Sequence, residues 1–351
     1  MIEVMHNRAS TQDRRLRDHV RVLARAGAAL ALLTAAALTP PASAEPVRLA
    51  MEVLGQEAQI EVRDVPRVRA IPVMRKALLE MFEVSQLVDG EDGMVGGIAD
   101  VHRAAAAGVA AGAEVDPRTF ELLRRGLQLC VWSSGAFSPL GGGVYALWEG
   151  GHPPALELRE AVTGAGCNLL QLAPEVPPRV SIPATSTLDL RGLSAGFAID
   201  RAADVLLEAG MDNALIELGE VARALGGGPR GDGWLATIPG VAGTRDPLDQ
   251  ILLRDQSLAT VRLARRGDGG PQLVDLRTGV RSSGVVAVTA VSELGVDAEA
   301  LASTLFVVGY NQGKLLLGQL SPRPSVLWLL GQNSGTPLES RYRWSSLSRP
   351  R

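Results

Sequence analysis

The pattern of hydrophobic and polar positions near the start of the chain predicts a strand pair followed by a helix. Residues 46–65 alternate between apolar and polar side chains and are broken by Gly55, which is typical of two strands or of one bent strand. Residues 67–87 carry apolar side chains at roughly helical spacing. The stretch 88–97 is rich in Gly and Asp, so we expect a loop there.

A further helix has a clear start signal at Asp116. Asp is a favoured N-cap residue, and Pro117 suits the first helical position. The segment 138–154 that follows this helix is rich in Gly and Pro. We expect that segment to be ordered only through the packing of Tyr145 and Trp148.

The second half of the chain alternates strand-like with helix-like segments. Helices are predicted over 194–210 and 297–309. Strands are predicted over 180–190, 213–219, 234–240, 250–264, 284–292, 325–331 and 342–346. The order follows neither a strict βαβ alternation nor a repeat, and no linker separates two domains. We therefore expect an α/β (mixed α+β) fold, a single domain in which a mixed sheet is flanked by helices.

Residues 1–44 have the pattern of an export signal. Five Arg residues between positions 14 and 25 precede the thirteen-residue apolar run Ala26–Leu38, and small residues then lead to a cleavage site after Ala44. A membrane-spanning helix needs about 20 apolar residues. A cleaved signal peptide is therefore favoured over an uncleaved anchor. We expect residues 45–351 to form the mature domain, exported to the periplasm and without a transmembrane span.

The route of export stays open between the general secretory and twin-arginine pathways. The pair Arg14–Arg15 suggests the second route, but its neighbours lack the usual apolar context. No Cys follows the apolar run at a lipid attachment point, so we do not expect a lipoprotein.

The charge balance of the mature chain excludes one large class of partner. Residues 1–44 contain six Arg and three acidic residues, which leaves 29 basic against 35 acidic residues and a net charge of −6. An acidic chain is a poor ligand for nucleic acid. We therefore expect no nucleic-acid partner.

The cysteines and histidines limit the metal and redox chemistry. Cys130 and Cys167 can form one disulfide outside the cytoplasm, or both can be unpaired core residues. His102 and His152 are the two histidines after residue 44, which excludes a His-rich metal cluster.

Two segments carry candidate binding chemistry. Glu299 and Ser303 are four residues apart, so their oxygens share one helix face and suit a hard cation such as Mg²⁺. The alternative is an ordinary solvated face. In the segment 188–200, Asp189 ends a strand, Gly192 allows a tight turn and Ser194 can cap a helix whose first amides face an anion. The alternative there is a turn with a structural role alone.

Five segments, in order along the chain, resemble the motifs of the FAD:protein FMN transferases, also known as the ApbE family. The resemblance covers roughly residues 46 to 345. The segments and the family patterns they resemble are SGAFSPLGGGVYALW at 134–148 (G-A-F-D-P-T…L-W), LDLRGLSAGFAID at 188–200 (D-L-G-G-I-A-K-G-Y-A-x-D), ALIELGEVARALG at 214–226 (A-L-I-N-L-G-G-D-I-R-A-L-G), QLVDLRTG at 272–279 (H-I-I-D-P-R-T-G) and AEALASTLFVVG at 298–309 (A-D-A-L-A-T-A-L-F-V-L-G).

The resemblance implies that the protein binds FAD with Mg²⁺. Family members transfer the FMN half of FAD to a threonine hydroxyl of a partner flavoprotein and release AMP, and the cation neutralises charge on the leaving phosphate. The partner here would be an acceptor flavoprotein or a subunit of a redox complex. Position by position, the resemblance implies flavin or FAD contacts for Met51, Ala136, Phe137, Ser138, Asp189, Ala195 and Leu273, and metal contacts for Gly192 (through its carbonyl), Glu299 and Ser303. No residue is assigned as a catalytic group.

The chain departs from the family pattern at several of these positions. Ala195 stands where the family has Lys, or Glu in some members, so a polar contact to the cofactor is missing. The other departures are Ser138 for Asp, Leu140 for Thr, Glu220 and Val221 for Gly-Asp, Gln272 for His, Glu299 for Asp and Ser303 for Thr. Two hypotheses follow. The protein is either an active, divergent FMN transferase or a non-catalytic flavin-binding or partner-binding periplasmic pseudoenzyme of the same fold.

Overall fold

The computed structural model describes residues 45–90, 93–241, 244–263, 273–331, 337–345 and 347. The predicted signal peptide and Gln272 lie outside these residues. Within them, every helix is too short or too polar to cross a membrane.

Fifteen strands and seven α-helices follow one another within the described residues. The strands are β1 Val47–Val53, β2 Gln56–Val62, β3 Ala113–Glu114, β4 Gln171–Ala173, β5 Arg179–Ser181, β6 Ala214–Leu218, β7 Val221–Leu225, β8 Trp234–Ile238, β9 Asp249–Leu253, β10 Gln256–Arg262, β11 Val274–Asp275, β12 Val280–Arg281, β13 Val285–Ser292, β14 Ser325–Leu330 and β15 Leu338–Tyr342. The helices are α1 Arg67–Leu87, α2 Ile98–Ala106, α3 Pro117–Trp132, α4 Gly142–Glu149, α5 Ala155–Gly164, α6 Ser194–Glu208 and α7 Gly295–Leu317.

A large sheet of eight strands organises the molecule, in the order β1-β2-β6-β7-β10-β13-β14-β15. Every neighbouring pair in it is antiparallel, where the sequence predicted a mixed sheet. The predicted strand pair at the start of the chain is the hairpin of β1 and β2, turned by Leu54 and Gly55 with φ of 52° and 68°. Smaller sheets are formed by β3-β5-β4, by β8 with β9 and by β11 with β12. The predicted α/β fold with a sheet flanked by helices is confirmed.

Both faces of the large sheet are covered at its central strands β7, β10, β13 and β14. Helices α1, α6 and α7 pack on one face, where α6 contacts β6 and β7 and α7 contacts β10 and β13. The other face is covered by β8 and β9, whose buried Trp234 and Ile251 pack against Ala287 and Leu327 of the sheet. A strand buried on both faces has no polar side to alternate with. This explains the nearly continuous apolar run of β13.

The start of α3 follows the prediction. Asp116 accepts a hydrogen bond from the amide of Arg118 at 2.8 Å, and Pro117 is the first helical residue. The segment after α3 differs from the prediction, because residues 142–149 form a regular helix. Gly142 explains the difference, since a Cβ at this position would lie 2.9 Å from the carbonyl oxygen of Thr187. The Gly-rich sequence thus allows α4 to approach the neighbouring chain closely.

Two further features differ from, or go beyond, the sequence pattern. Helix α7 runs past the predicted end at Gly309, where φ of 75° interrupts the helix before it resumes. Cys130 and Cys167 are joined by a disulfide with a Cα–Cα distance of 5.8 Å. This bond decides between the two alternatives that the sequence left open.

Candidate functional site

A cavity of about 540 Å³ lies at the point where the β1–β2 hairpin, the turn before α6 and the first turns of α6 and α7 meet. Its apolar wall includes Leu54, Val88 and Ile98. The sequence-predicted site residues on its wall are Asp189, Gly192, Ala195 and Glu299. A smaller cavity of about 290 Å³ lies against α3 and α7, lined by Trp132, Asp297 and Leu301, and holds none of the predicted site residues.

The turn from residue 188 to 192 is fixed by Asp189. Its amide donates to the carbonyl of Pro139 at 2.9 Å, and its carboxylate accepts from the amide of Arg191 at 2.9 Å. Gly192 has φ of 82°, which a residue with a side chain adopts only under strain. The turn was predicted, but the strand predicted to end at Asp189 is wrong, because β5 ends at Ser181 and residues 188–190 form no strand.

Arg191 is a cavity residue that the sequence analysis did not single out. Its guanidinium contacts Asp189 through Nε at 2.8 Å and Nη2 at 2.6 Å, and it pairs with Glu149 at 2.9 Å. It also lies 4.3 Å from the centre of the Tyr145 ring. Burial disfavours the charged guanidinium, but the two carboxylates outweigh that effect and raise the pKa of Arg191. The sequence does carry a signal for this residue, namely a departure from the family pattern: Arg191 stands where the pattern D-L-G-G has its first Gly.

The amino end of α6 faces a carboxylate of this same chain. The predicted cap, Ser194, is wrong, because α6 begins at Ser194 after an N-cap residue, Leu193, that makes no side-chain cap bond. Instead, Glu299 Oε2 accepts from the amide of Gly196 at 2.6 Å, and the amide of Ala195 also donates to Glu299. Four amides at a helix start lack partners within the helix, and an anion there is stabilised by them. Glu299 reaches this position from α7.

Desolvation controls the ionisation of Glu299. Loss of solvent raises its pKa to about 7, the charge of Asp200 adds to the increase, and the amides of Gly196 and Ala195 oppose it. The carboxylate is therefore near its titration point at neutral pH. Binding of a cation would favour the charged form.

Ser303 lies directly against Gly192, which lines the cavity. A Cβ on Gly192 would lie 2.7 Å from Ser303 Oγ and 3.5 Å from a ring carbon of Phe137. Three residues predicted from separate motifs are thus neighbours. Ser303 is buried, and Glu299 is one helical turn before it on the same helix.

The donor chemistry of Glu299 and Ser303 fits a magnesium ion. Both offer hard oxygens, and Mg²⁺ is usually held by one or two carboxylates together with waters and substrate phosphates. Among the residues that the structure describes, no group of three or more His, Cys, Asp or Glu is placed to hold a metal. The hydrogen bonds from α6 are the kind of outer support that orients a ligating carboxylate. A cation here would still need further oxygens from backbone, water or phosphate.

The remaining predicted residues do not line the cavity. Ala136 and Phe137 are buried, and the carbonyl of Ala136 accepts from the amide of Leu276 at 3.3 Å, so the segments around 136 and 276 touch. Ser138 Oγ is buried and accepts from the amide of Leu140 at 3.1 Å. The carbonyl of Leu273 accepts from the amide of Ser282 at 3.3 Å, and Met51 lies on β1 against the core. The binding roles of all these residues stay predictions.

His102 is a second residue that the sequence did not assign to the site. Its Nε2 accepts from the amide of Leu188 at 2.9 Å, and its Nδ1 lies 3.2 Å from the carbonyl of Gly90. Leu188 and Gly90 both line the cavity. His102 therefore joins two parts of the wall from α2. A lone His on a short helix gives no signal for such a role.

Comparison with known proteins identifies the family. The sequence profile of the ApbE family matches residues 59–328. The chain belongs to the ApbE family.

Two relatives are each named FAD:protein FMN transferase. The protein of Treponema pallidum (strain Nichols) is 30% identical over 230 residues, which are 58% of this chain and 63% of that protein. The protein of Rhodobacter capsulatus is 29% identical over 332 residues, which are 87% of this chain and 60% of that protein. The chain thus spans about three fifths of the length of these two relatives.

Solved structures share the ApbE fold at lower identity. The ApbE protein of Thermotoga maritima superposes with a TM-score of 0.72 at 22% identity, covering 85% of this chain and 97% of that chain. The flavin transferase ApbE of Vibrio cholerae gives 0.71 at 21% identity with the same coverage. The flavinyl transferase ApbE of Pseudomonas stutzeri gives 0.73 at 18% identity, covering 87% and 97%.

Proposed function

We propose that this protein binds FAD in the 540 Å³ cavity and transfers its FMN half to a Thr or Ser hydroxyl of a partner flavoprotein. In this reaction the hydroxyl oxygen bonds to the phosphorus of FMN, the bond to AMP breaks, and the hydroxyl proton is released. Family membership and the names of the two relatives support the proposal. The observation that carries it is that Glu299 and the turn at Gly192 line one cavity, while Ser303 lies directly against Gly192.

Different residues of the cavity suit different parts of an FAD molecule. A volume of about 540 Å³ is in the range of small-molecule sites, and the apolar wall of Leu54, Val88 and Ile98 suits a flavin ring. Glu299 and Ser303 would hold Mg²⁺, which when bound supplies positive charge beside the phosphates. Asp189 and Arg191 shape the turn against which the phosphates would lie.

We also propose that the protein acts in the periplasm. The basic and apolar pattern of residues 1–44 supports export, and a disulfide between Cys130 and Cys167 suits an oxidising compartment. The acceptor would then be an exported flavoprotein or an exposed subunit of a redox complex.

One observation favours a second candidate function, flavin binding without transfer. Ala195 offers a methyl group where the family pattern has Lys, and Asp189 is already paired with Arg191. Fewer polar groups then remain to hold the phosphates at the transition state. A non-catalytic flavin-binding or partner-binding role would follow from this.

The test measures binding and transfer separately. The mature protein is titrated with FAD in the presence and absence of Mg²⁺, and is then incubated with FAD, Mg²⁺ and a threonine-containing acceptor peptide. Covalent flavin on the peptide with equal release of AMP supports the transferase, whereas FAD binding without AMP supports the second candidate. Absence of FAD binding overturns the transferase and the flavin-binding role, and leaves partner binding as the form of the second candidate that stands. Glu299→Gln should lose the Mg²⁺ effect, and Glu208→Gln, an exposed carboxylate on α6, is the matched control.

A further inference from the structure

The charge of the cavity wall is a problem for a phosphate ligand. Asp189 and Glu299 both contribute carboxylates to the wall. Arg191 is the one cationic side chain among the lining residues that the structure describes. Apart from a bound Mg²⁺, Arg191 is therefore the one described charge on this wall that can attract a pyrophosphate.

The geometry of Arg191 leaves one edge of its guanidinium available. Nε and Nη2 contact Asp189, and Nη2 also contacts Glu149. Within the described part of the chain, no hydrogen bond or ion pair uses Nη1. A guanidinium carries five donors in a planar fork that matches phosphate oxygens. Stacking on Tyr145 and pairing with Asp189 hold that fork in one orientation.

The sequence places this cation where the family pattern has none. In the pattern D-L-G-G-I-A-K-G, Arg191 stands at the first Gly and Ala195 stands at the Lys. Both positions line the same cavity. The chain has thus lost one side-chain cation at 195 and gained another four residues earlier.

We propose that Arg191 is the phosphate-binding residue of this cavity and supplies from the turn the positive charge that Ala195 lacks. This inference rests on the proposed binding of FAD and adds a recognition element to it. Arg191 would bind the pyrophosphate through Nη1 and would make no contact that depends on the flavin ring. The ligand class is a dinucleotide or another pyrophosphate-linked nucleotide.

A purely structural role for Arg191 makes a different prediction. Its partner Glu149 has a side chain that is 63% exposed, and an exposed ion pair contributes little to stability. If Arg191 only braced the turn through Asp189, its loss would weaken binding of phosphorylated and unphosphorylated flavins alike. If Arg191 binds phosphate, its loss affects only ligands that carry phosphate.

The experiment compares FAD and riboflavin binding to the full mature protein and to Arg191→Gly. Gly is the residue of the family pattern, so the turn accepts it. A lost charge-assisted hydrogen bond corresponds to roughly 10- to 100-fold in affinity. We expect FAD affinity to fall by that factor, riboflavin affinity to stay within about twofold, and the salt dependence of FAD binding to decrease. Arg201→Ala, which removes an ion-paired arginine of α6 outside the cavity wall, should leave all values unchanged.

Two further variants test whether a cation at position 195 can replace the cation at position 191. Arg191→Gly combined with Ala195→Lys should regain most of the lost FAD affinity, because the cation returns to the cavity from the neighbouring position. Arg191→Gln keeps a polar side chain without charge, and it replaces Arg191→Gly if the latter melts at lower temperature. Equal losses for FAD and riboflavin, or no loss for FAD, would overturn the inference. Failure of the unaltered protein to bind FAD would instead overturn the proposed function.

Discussion

Asp200 and Glu299 cap each other's helices. Asp200 of α6 accepts from the amides of Gly295 and Val296 at 2.8 and 2.9 Å, at the start of α7. Glu299 of α7 accepts from the amides of Ala195 and Gly196 at the start of α6. The two helix starts touch, because a Cβ on Gly196 would overlap the carbonyl of Gly295. This reciprocal capping fixes the two helices that form the floor of the cavity.

The first prediction concerns Asp200→Ala. Asp200 is buried and also pairs with Arg223, whose side chain is 12% exposed, so its removal leaves a largely buried guanidinium and two helix amides without their partner. Breaking such a buried pair costs about 3–5 kcal/mol in the free energy of unfolding. Urea unfolding followed by circular dichroism measures it. Asp204→Ala, an exposed carboxylate of the same helix paired with Arg201, should change that energy by less than about 0.5 kcal/mol. Equal effects of the two variants would show that the capping is not stabilising.

The second prediction concerns pH and the metal-free protein. The pKa of Glu299 is raised from 4.5 to about 7. Between these values the folded chain holds a proton that the unfolded chain has released, so the free energy of unfolding decreases as pH rises and levels off above the folded pKa. One pKa unit corresponds to about 1.4 kcal/mol, and partial exposure reduces the effect to the order of 2 kcal/mol.

Urea unfolding in EDTA at pH 5, 6, 7 and 8 measures this slope. In Glu299→Gln the contribution disappears, so this variant should gain stability relative to the unaltered protein as pH rises. Parallel profiles for the two proteins would contradict the assigned shift.

The periodicity of apolar residues was sufficient to predict most helices and strands, because each of these elements buries one continuous face. The β1–β2 hairpin, α1 and α3 follow directly from local patterns and from the cap at Asp116. Periodicity did not predict α4. There Gly142 is needed because the helix contacts Thr187, which is 45 positions away in the chain and cannot be read from a local pattern. Pairing direction in the sheet also depends on contacts between distant strands, and local patterns do not encode it.

The site shows the same division between local and long-range information. The turn at Gly192 and the helix face of Glu299 and Ser303 were readable from spacing. The actual cap of α6 was not, because Glu299 is more than one hundred residues from Gly196 in the chain. Arg191 was overlooked since an Arg in a turn is usually solvated, and only its partners reveal its orientation.

The third prediction concerns the approach of Gly192 to Ser303. In Gly192→Ala the new methyl group would meet Ser303 Oγ, and the hydroxyl has to rotate away from its place beside the turn. We expect Mg²⁺-dependent FAD affinity to fall about tenfold or more, as when a metal ligand is disturbed. Calorimetric titration with Mg²⁺ and FAD measures it. Gly210→Ala is the control, because its φ of 70° carries the same backbone cost while its nearest neighbour is 3.6 Å away. Similar losses in both variants would assign the effect to backbone strain.

The fourth prediction concerns the disulfide. Cys130 and Cys167 are 37 positions apart, and closing a loop of that length lowers the entropy of the unfolded chain, which raises the free energy of unfolding by about 4 kcal/mol at 25 °C. The double variant Cys130→Ala and Cys167→Ala should therefore unfold at a lower urea concentration by a corresponding amount. Treatment of the unaltered protein with a reductant should reproduce the shift, and the same reductant should leave the double variant unchanged. An unaltered midpoint would show that the crosslink does not stabilise the fold.

The fifth prediction concerns His102. The imidazole joins Leu188 and Gly90, two residues of the cavity wall, and neither contact can be made by a methyl group. In His102→Ala we expect FAD affinity to fall about tenfold through the loss of two modest hydrogen bonds, while riboflavin affinity falls with it, because the whole wall moves. Hydrogen exchange of the Leu188 amide should accelerate in the variant. His152→Ala, an exposed histidine against Trp148, is the control and should change neither quantity. Loss of FAD affinity without faster exchange at Leu188 would contradict the positioning role, because the bond to Leu188 is the contact that links α2 to the turn carrying Asp189 and Arg191.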